Sequence, residues 1–513
     1  MTELITSPSQ LPSISEMGEA ESNIIQINAA RQVNGDNFRA GVIDFSWSLA
    51  GSQRASMKKS YIRIRAKLTK ANNDQPTVSD RVAFAENFAN NMFSSAYFYI
   101  GGVDVSSKQN FCAQSSMARA RLTNTYSWFK SIGDVYGFDS NFSRRAAEIS
   151  SDGNTLLSYF GSDANTALTG GVNTITALGV ATFAQAQTLS IGDVIKVSNV
   201  SYRVVSATSS TVYNVVTLDG SAITPVVANT AATLVFIGAG FVYDIDDGKN
   251  DIEIVCQPGA LGIWSSESCL PSGQYRLSLY PSNDASLTSA IECKGATTVA
   301  GDYKVTVSDM YFYLHTYRAV EPIVSGEYFL DLTEMSTQVK TLSGPTNNNF
   351  NFSIPASTYG IAIWAQSKTA GTTPLLPPSI FNDVGGNLLK LKNIQLTYAG
   401  ISKPNTNWDS ALGGDAPAVK NWLKQRYFDS MANAGLSELS AETYEEWLKR
   451  GILLYYSWVK SDDNRSTELQ LSVDYEGSAT IDNAHIFVGA LYRNLCQISI
   501  DSGYITAVKK LQM

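Results

Sequence analysis

The feature that most constrains this chain is a strict alternation of apolar and polar residues, recurring from one end to the other. Leu469, Leu471, Val473 and Tyr475 alternate with Glu468, Gln470, Ser472 and Asp474. Ile43, Phe45, Trp47 and Leu49 alternate with Asp44, Ser46 and Ser48, and Ile62, Ile64, Ala66 and Leu68 with Arg63, Arg65, Lys67 and Thr69. Tyr275, Leu277 and Leu279, then Phe350, Phe352 and Ile354, then Ile394, Leu396 and Tyr398 repeat the pattern. A period of two puts every apolar side chain on one face, as a half-buried strand requires. The run Lys304–Arg318 is apolar on both faces over much of its length, which suits a strand buried inside a sandwich. The chain is therefore expected to be mainly β. At about 150 residues per domain, 513 residues point to about three domains.

Residues 1–30 carry Glu3, Glu16, Glu19 and Glu21 with no Lys or Arg before Arg31, and read as a flexible or draped acidic arm. Residues 31–159 and 244–322 form one β-rich unit, and 323–513 form a second. Between them the composition shifts: residues 160–243 hold only Asp163, Asp193, Lys196, Arg203 and Asp219 as charges. Leu189–Ala207 reads there as two short strands around a turn, so 160–243 is expected to be a small inserted β-barrel or sandwich at the surface. Short helices are expected in the connections. Phe84, Phe88 and Met92 fall at i, i+4, i+8 within residues 82–93, and a second helical stretch spans Ala113–Lys130. Gly101-Gly102 supplies the positive φ angles of a hairpin turn. Residues 368–387, rich in Pro, Gly and Thr, read as a long loop. Asp415 caps a helix with Pro417 in its first turn, Val419, Trp422, Leu423 and Tyr427 on its buried face, and Gly435 at its C-cap. Ser440 and Glu442 open another short helix through Leu448.

No catalytic, cofactor-binding or metal-ligating residue is assigned. The chain has two histidines and five cysteines. Cys112, Cys256, Cys269, Cys293 and Cys496 are widely spaced, with no CxxC and no Cys/His pair at metal spacing, and read as free, mostly buried thiols. His315 and His485 read as packed side chains with no nucleophile or acid nearby in sequence. GxxxxGK[ST], GxSxG and HExxH are absent. In Asp244–Glu253 the spacing of a calcium loop fails, because Gly248 falls at position five and Val255 at twelve, so an acidic turn is expected. Glu445-Glu446 beside Trp447 reads as a helix surface with one buried aromatic. Asn141, Asn199, Asn351 and Asn464 begin Asn-x-Ser sequons, but no basic region followed by an apolar run marks a secretory signal. The longest apolar stretch, Ala231–Tyr243, is broken by Gly238 and Gly240 and falls short of a membrane helix. The net charge is −8 and charged residues are 16% of the chain. An arm built to hold nucleic acid would carry Lys/Arg clusters, and this one does not. The low charge hints at surface buried against other subunits.

Glu86–Trp128, ENFANNMFSSAYFYIGGVDVSSKQNFCAQSSMARARLTNTYSW, resembles a recurring block of double-jelly-roll major capsid proteins of the polinton, virophage and adenovirus-like lineage. In that block a helix with an Asn/Phe-rich core runs into a strand, a tight turn, a second strand and a helical stretch. Met57–Asn72 resembles the strand before it. Cys269–Ala285 and Tyr303–Pro322 are similar to the end of the family's first jelly roll. The resemblance covers about half the chain, and its motifs are more specific in the first half than in the second. It implies two consecutive jelly rolls and a homotrimer forming a pseudo-hexagonal capsomer, packed with neighbouring capsomers, penton and minor or cement proteins. The setting would be the icosahedral virion of a double-stranded DNA virus, assembled inside the infected cell. It implies no enzyme, no cofactor and no sequence-specific nucleic-acid binding, and an outward turret at 160–243 that contacts a host receptor or glycan. Two other classes compete: a carbohydrate-binding β-sandwich, which needs exposed Trp/Tyr stripes and a carboxylate pair, and a surface adhesin, for which internal repeats are expected and none is seen.

Overall fold

A computed structural model describes residues 9–13, 19–74, 82–106, 109–138, 166–187, 189, 194–198, 200–217, 222–235, 251–259, 261–283, 287–293, 302–320, 323–342, 344, 346, 348–367, 390–408, 417–436, 442–444, 447, 450–458, 467–476 and 484–511. Sixteen strands build two sandwiches. The first eight are β1 (Glu19–Asn28), β2 (Ile43–Leu49), β3 (Gln53–Lys70), β4 (Phe93–Ile100), β5 (Val103–Asp104), β6 (Asp251–Cys256), β7 (Gly273–Pro281) and β8 (Tyr303–Ala319). The second eight are β9 (Gly326–Thr341), β10 (Asn348–Ser353), β11 (Thr358–Ser367), β12 (Lys390–Tyr398), β13 (Ile401–Trp408), β14 (Leu453–Ser457), β15 (Glu468–Glu476) and β16 (Ala484–Asp501). A last strand, β17 (Tyr504–Leu511), folds back on β16.

The sheets of the first sandwich run β1-β8-β3-β6 and β2-β7-β4-β5. Those of the second run β9-β16-β11-β14 and β10-β15-β12-β13. Raising every number by eight converts one pair of sheets into the other. Two four-stranded antiparallel sheets in this order make a jelly roll, and the chain is two jelly rolls in succession. The alternation read from the sequence sets which face is buried. Ile43, Phe45, Leu277, Leu279 and Phe98 point inward, and so do Ile62, Ile64, Ala66 and Leu68, while Arg65 and Lys67 are exposed. Leu469, Leu471 and Val473 lie beside Phe352, Leu396 and Tyr398 on the inner face of the same sheet, in the second core.

The two cores exchange residues across the halves of the sequence. The long strands β9 and β16 pair in unbroken register from Gly326↔Ile500 to Thr341↔His485. At one end Leu330, Leu332, Cys496, Ile498 and Ile500 lie in the first core. Further along, Met335, Ile486, Val488 and Ala490 lie in the second. In return, helix α1 (Cys112–Thr123) and helix α2 (Tyr126–Ser131) send Met117, Ala118, Leu122 and Phe129 into the second core, with Phe138 beyond them.

Between β5 and β6 in the chain lies a further sheet with eight described short strands, running in chain order from Thr166–Ala167 to Ala232–Val235. Val172, Phe183, Ile195, Tyr202, Val204 and Tyr213 form one buried cluster with their neighbours, separate from the two sandwich cores. Because residues from most of its strands touch one another, this sheet is curled around its own apolar face.

Several local expectations change. Residues 82–93 are not one helix: Val82–Phe84 pairs as a strand with Ile291–Cys293, and only Phe88–Asn91 is helical. The helical spacing of Phe84, Phe88 and Met92 reflects burial of the whole segment rather than one face. The stretch 113–130 splits at Asn124, whose extended backbone ends α1 before Thr125 caps α2 by accepting from the Trp128 amide at 3.2 Å. Within residues 1–30, Ser9–Gln10 adds in parallel to Tyr328–Phe329 on β9, and Glu19–Asn28 is the edge strand β1. Gly101 and Gly102 take φ of 56° and 82° in the β4–β5 turn. Helix α3 (Pro417–Asn433) ends at Gly435 (φ 82°), with the Leu436 amide bonded to the Met431 carbonyl. The residues 368–387, Asp415 and Ser440 lie outside the described residues, as do the side chains of Val419, Trp422 and Leu423. Tyr427 is buried in the second core.

Candidate functional site: a buried charge network between the sandwiches

Where the two sandwiches meet, four charged side chains are removed from water. Glu86 and Arg121 come from the first half of the chain, Glu442 and Arg450 from the second, and none is more than 1% exposed. Arg450 grips Glu86 with two donors, Nη2 to Oε1 at 2.8 Å and Nε to Oε2 at 3.1 Å. Its Nη1 reaches Glu442 Oε2 at 3.4 Å. Arg121 Nε donates to the other oxygen, Glu442 Oε1, at 2.7 Å, and its Nη2 to the Gly451 carbonyl at 2.8 Å. The signs alternate along the chain of contacts, so the group is neutral. Burial pulls the Arg121 guanidinium below its usual range, and Glu442 opposes that shift. The forked geometry suits arginine, because a planar guanidinium matches a carboxylate with two parallel bonds.

The surroundings hold the network in place. Phe129 lies under the Arg450 guanidinium at 5.6 Å. Tyr427 donates to the Glu442 carbonyl, and Trp447, itself fully buried, donates from Nε1 to the Leu453 carbonyl at 3.0 Å. A second buried carboxylate, Glu334 on β9, accepts from Tyr492 and Asn494, both at 3.0 Å. Asn494 also donates to the Val105 carbonyl at 2.7 Å, tying β16 to the first sandwich. Burial, then Glu334, pushes the Tyr492 hydroxyl far above its ordinary range. Arg119, one turn before Thr123 on α1, feels Glu334 against its own desolvation.

The charges of Glu86, Arg121, Glu442 and Arg450 are paired with one another. His315 is buried and shares a hydrogen bond of 2.8 Å with Ser22 on β1. His485 meets the Thr341 hydroxyl at 3.2 Å and the ring of Phe487. Cys112, Cys256, Cys269 and Cys496 are free and buried, and burial pushes Cys112 and Cys496 up to about 12. Among the described residues no group of three or more His, Cys, Asp or Glu is placed to hold a metal ion, and no helix is long and apolar enough to cross a membrane. Residues 244–250 of the acidic turn, Glu445 and Glu446 lie outside the described residues. A cleft of about 430 Å³ opens between α3 and β14, lined by Lys403, Arg426, Asp429 and Tyr455.

Sequence reading did not find the network. Glu442 was assigned only to a helix start, and Glu86 and Arg121 only to the resembling block. The available signal is weak: two arginines, Arg119 and Arg121, inside a helix otherwise made of uncharged residues.

The architecture and its buried joint define a tandem jelly-roll protein whose two halves share cores and ion pairs. Comparison with solved structures places the same fold elsewhere. The chain superposes on a protein of the Sputnik virophage, from its cryo-EM structure, with a TM-score of 0.53 at 12% identity, covering 99% of this chain and 91% of that one. It also matches the mavirus major capsid protein (TM-score 0.41, 9% identity, 99% and 93% covered) and the PBCV-1 virus capsid (TM-score 0.40, 10% identity, 98% and 100% covered). No family model matches the chain, and no curated protein matches it in sequence.

Proposed function

We propose that this chain is the structural major capsid protein of an icosahedral double-stranded DNA virus, working as a trimeric, pseudo-hexagonal capsomer in the virion rather than as an enzyme. The observation that carries the reading is the repeated strand order, β1-β8-β3-β6 with β2-β7-β4-β5, recurring eight numbers later. Its near full-length superposition on the virophage protein supports it. Two equal sandwiches side by side let three chains present six similar faces around one axis, which is how a homotrimer fills a hexagonal lattice position. The buried network and shared cores suit a shell subunit, which must not hinge between its halves. In this reading neighbouring capsomers, penton and minor capsid proteins are the partners, and residues 160–243 project outward as a turret, a separate domain that contacts a receptor or glycan.

Size-exclusion chromatography with light scattering, followed by negative-stain imaging, tests it. A trimer that forms hexagonal arrays or shells is expected, and a stable monomer would overturn the reading. Joining Tyr159 to Asp244 should leave the trimer intact, because the inserted sheet has its own core.

A further inference from the structure

Strand β14 (Leu453–Ser457) ends its sheet. It pairs with β11 on one side, from Gly360↔Ser457 to Trp364↔Leu453, and among the described residues no strand lies on the other. In an antiparallel pair, alternate residues turn their N–H and C=O away from the partner. The Trp458 amide donates to the Tyr359 carbonyl at 2.7 Å, so the outward set on β14 is Leu453, Tyr455 and Ser457. Each of these three carbonyls accepts from a side chain instead of a strand. Trp447 Nε1 donates to Leu453 at 3.0 Å, Asn433 Nδ2 to Tyr455 at 3.3 Å, and Lys403 Nζ to Ser457. The outward Tyr455 amide donates to Ser430 Oγ at 3.2 Å. Ser430 and Asn433 stand one turn apart on α3, and the Ser457 hydroxyl steadies Asn433 at 3.2 Å. The helix does not lie flush on the strand: Ser430, Asn433 and Tyr455 line the cleft of about 430 Å³ between them.

The covered segment is itself suited to pairing. Ile452–Trp458 reads ILLYYSW, seven residues with no charge, no Pro and no Gly. Segments of this composition pair with copies of themselves when an edge is open. Other edge strands carry charges that oppose this, among them Glu21 on β1, Glu253 on β6 and Lys403 on β13, whereas β14 carries none. We propose that α3 and Lys403 guard a self-pairing edge, and that the partner this edge takes when uncovered is β14 of a second copy of the chain. The outward set fixes the register. Antiparallel pairing centred on Tyr455 puts Tyr455 opposite itself and Leu453 opposite Ser457, so the outward N–H and C=O groups of one strand meet those of the other. The contact is isologous, the same patch on both copies. An incoming strand about 4.8 Å away would stand where the Ser430 and Asn433 side chains now are, so pairing requires α3 to lift from the edge. The guard belongs to the second jelly roll alone and does not depend on the chain building a shell.

Thioflavin T fluorescence and sedimentation velocity on the full chain test this, with circular dichroism confirming that each variant folds. Every variant is read against wild type at the same concentration, whatever oligomer the wild type forms. Ser430→Ala with Asn433→Ala removes the bonds from helix to edge. It should raise self-association about tenfold, because bonds of ordinary strength are lost from the closed state alone. Met431→Ala loosens α3 from the second core, where this side chain is buried, without touching those bonds, and should act in the same direction. Hydrogen exchange in Ile452–Trp458 should quicken in dilute S430A/N433A and slow again as the protein is concentrated. Adding Ser457→Pro deletes one outward N–H and leaves the ladder to β11 intact, so it should return both variants to the wild-type level. Wild-type association in S430A/N433A would overturn the proposal. So would association that S457P does not reverse, which would place the contact elsewhere, or exchange that stays fast at high concentration.

Discussion

Replacing Glu86 by Gln should cost the protein about 3–5 kcal/mol of stability, the usual penalty for breaking a buried ion pair from one side. The substitution keeps the shape of the side chain and removes one charge. Arg450 then keeps at most one of its two bonds to this side chain, at 2.8 or 3.1 Å, because the amide oxygen still accepts while the amide NH2 faces the guanidinium as a second donor, and it retains the 3.4 Å contact to Glu442. The buried group changes from neutral to singly positive. At an effective dielectric constant of about 20, a pair of unit charges about 4 Å apart is worth about 4 kcal/mol, which agrees with that range. Against a domain stability of about 5–15 kcal/mol, this is a large fraction. The double variant Glu86→Leu with Arg450→Met removes the pair together and leaves Arg121 and Glu442 bonded at 2.7 Å. It should recover to within about 1–2 kcal/mol of wild type, because apolar replacement of a whole buried pair is often neutral. Urea unfolding followed by tryptophan fluorescence gives both numbers. A loss below about 1 kcal/mol for E86Q, or a double variant as unstable as the single, would refute the claim that the joint is held by paired charge.

Residues 1–322 and 323–513 expressed separately should each fail to fold, since the first would expose Met117, Leu122 and Phe129 and lack Leu330 and Ile498; a sharp one-dimensional NMR spectrum from either half would contradict this. Trp447→Ala should lower stability by about 3–5 kcal/mol, as large-to-small changes in a core do, and an unchanged melting temperature would contradict the packing of Trp447 in the second core. Cys112 and Cys496, raised to about 12 by burial, should make the fold weaken in alkali. The sign follows from linkage: the unfolded thiol ionises near 8.5, so the stability is complete below that pH and is lost between about 8.5 and 12. At pH 9.5 the loss is roughly 1.4 kcal/mol per thiol, visible as a lower urea midpoint than at pH 7.5, and C112A/C496A should flatten the slope.

What was legible in the sequence was decided by range. Alternation is a property of adjacent residues, so the inward faces of β2, β3, β7 and β15 could be read directly. Gly101-Gly102 and Gly435 were legible for the same reason, because a positive φ is a demand made within one turn. The segment 82–93 misleads because residues 84–93 are buried on every side, and a periodicity argument needs one wet face to have any contrast. The acidic arm misled differently. Its composition suits a free tail, yet EAESNIIQIN pairs along β8 because Ile27 has a core to enter and β8 has an open edge.

The joint between the sandwiches was illegible because nothing local requires it. Glu86 and Arg450 are 364 positions apart, and Arg121 and Glu442 are 321 apart. Each residue alone is unremarkable on a helix or turn, where charged side chains normally face water. Their burial is a consequence of two sandwiches closing on one another, which no window of sequence contains. The low charged fraction was the one global clue, and it now has a sharper physical meaning. In a chain with so few charges, each one sealed between the sandwiches has been taken from solubility and committed to geometry. A fold that only needed two stable domains would leave Glu86, Arg121, Glu442 and Arg450 in water, where they cost nothing. Desolvating all four is costly, and the directional bonds they make fix one relative position of the two halves. The forked Arg450–Glu86 contact and the Arg121 bond to Gly451 do not tolerate sliding. That selectivity for one arrangement is what a subunit of a regular lattice needs.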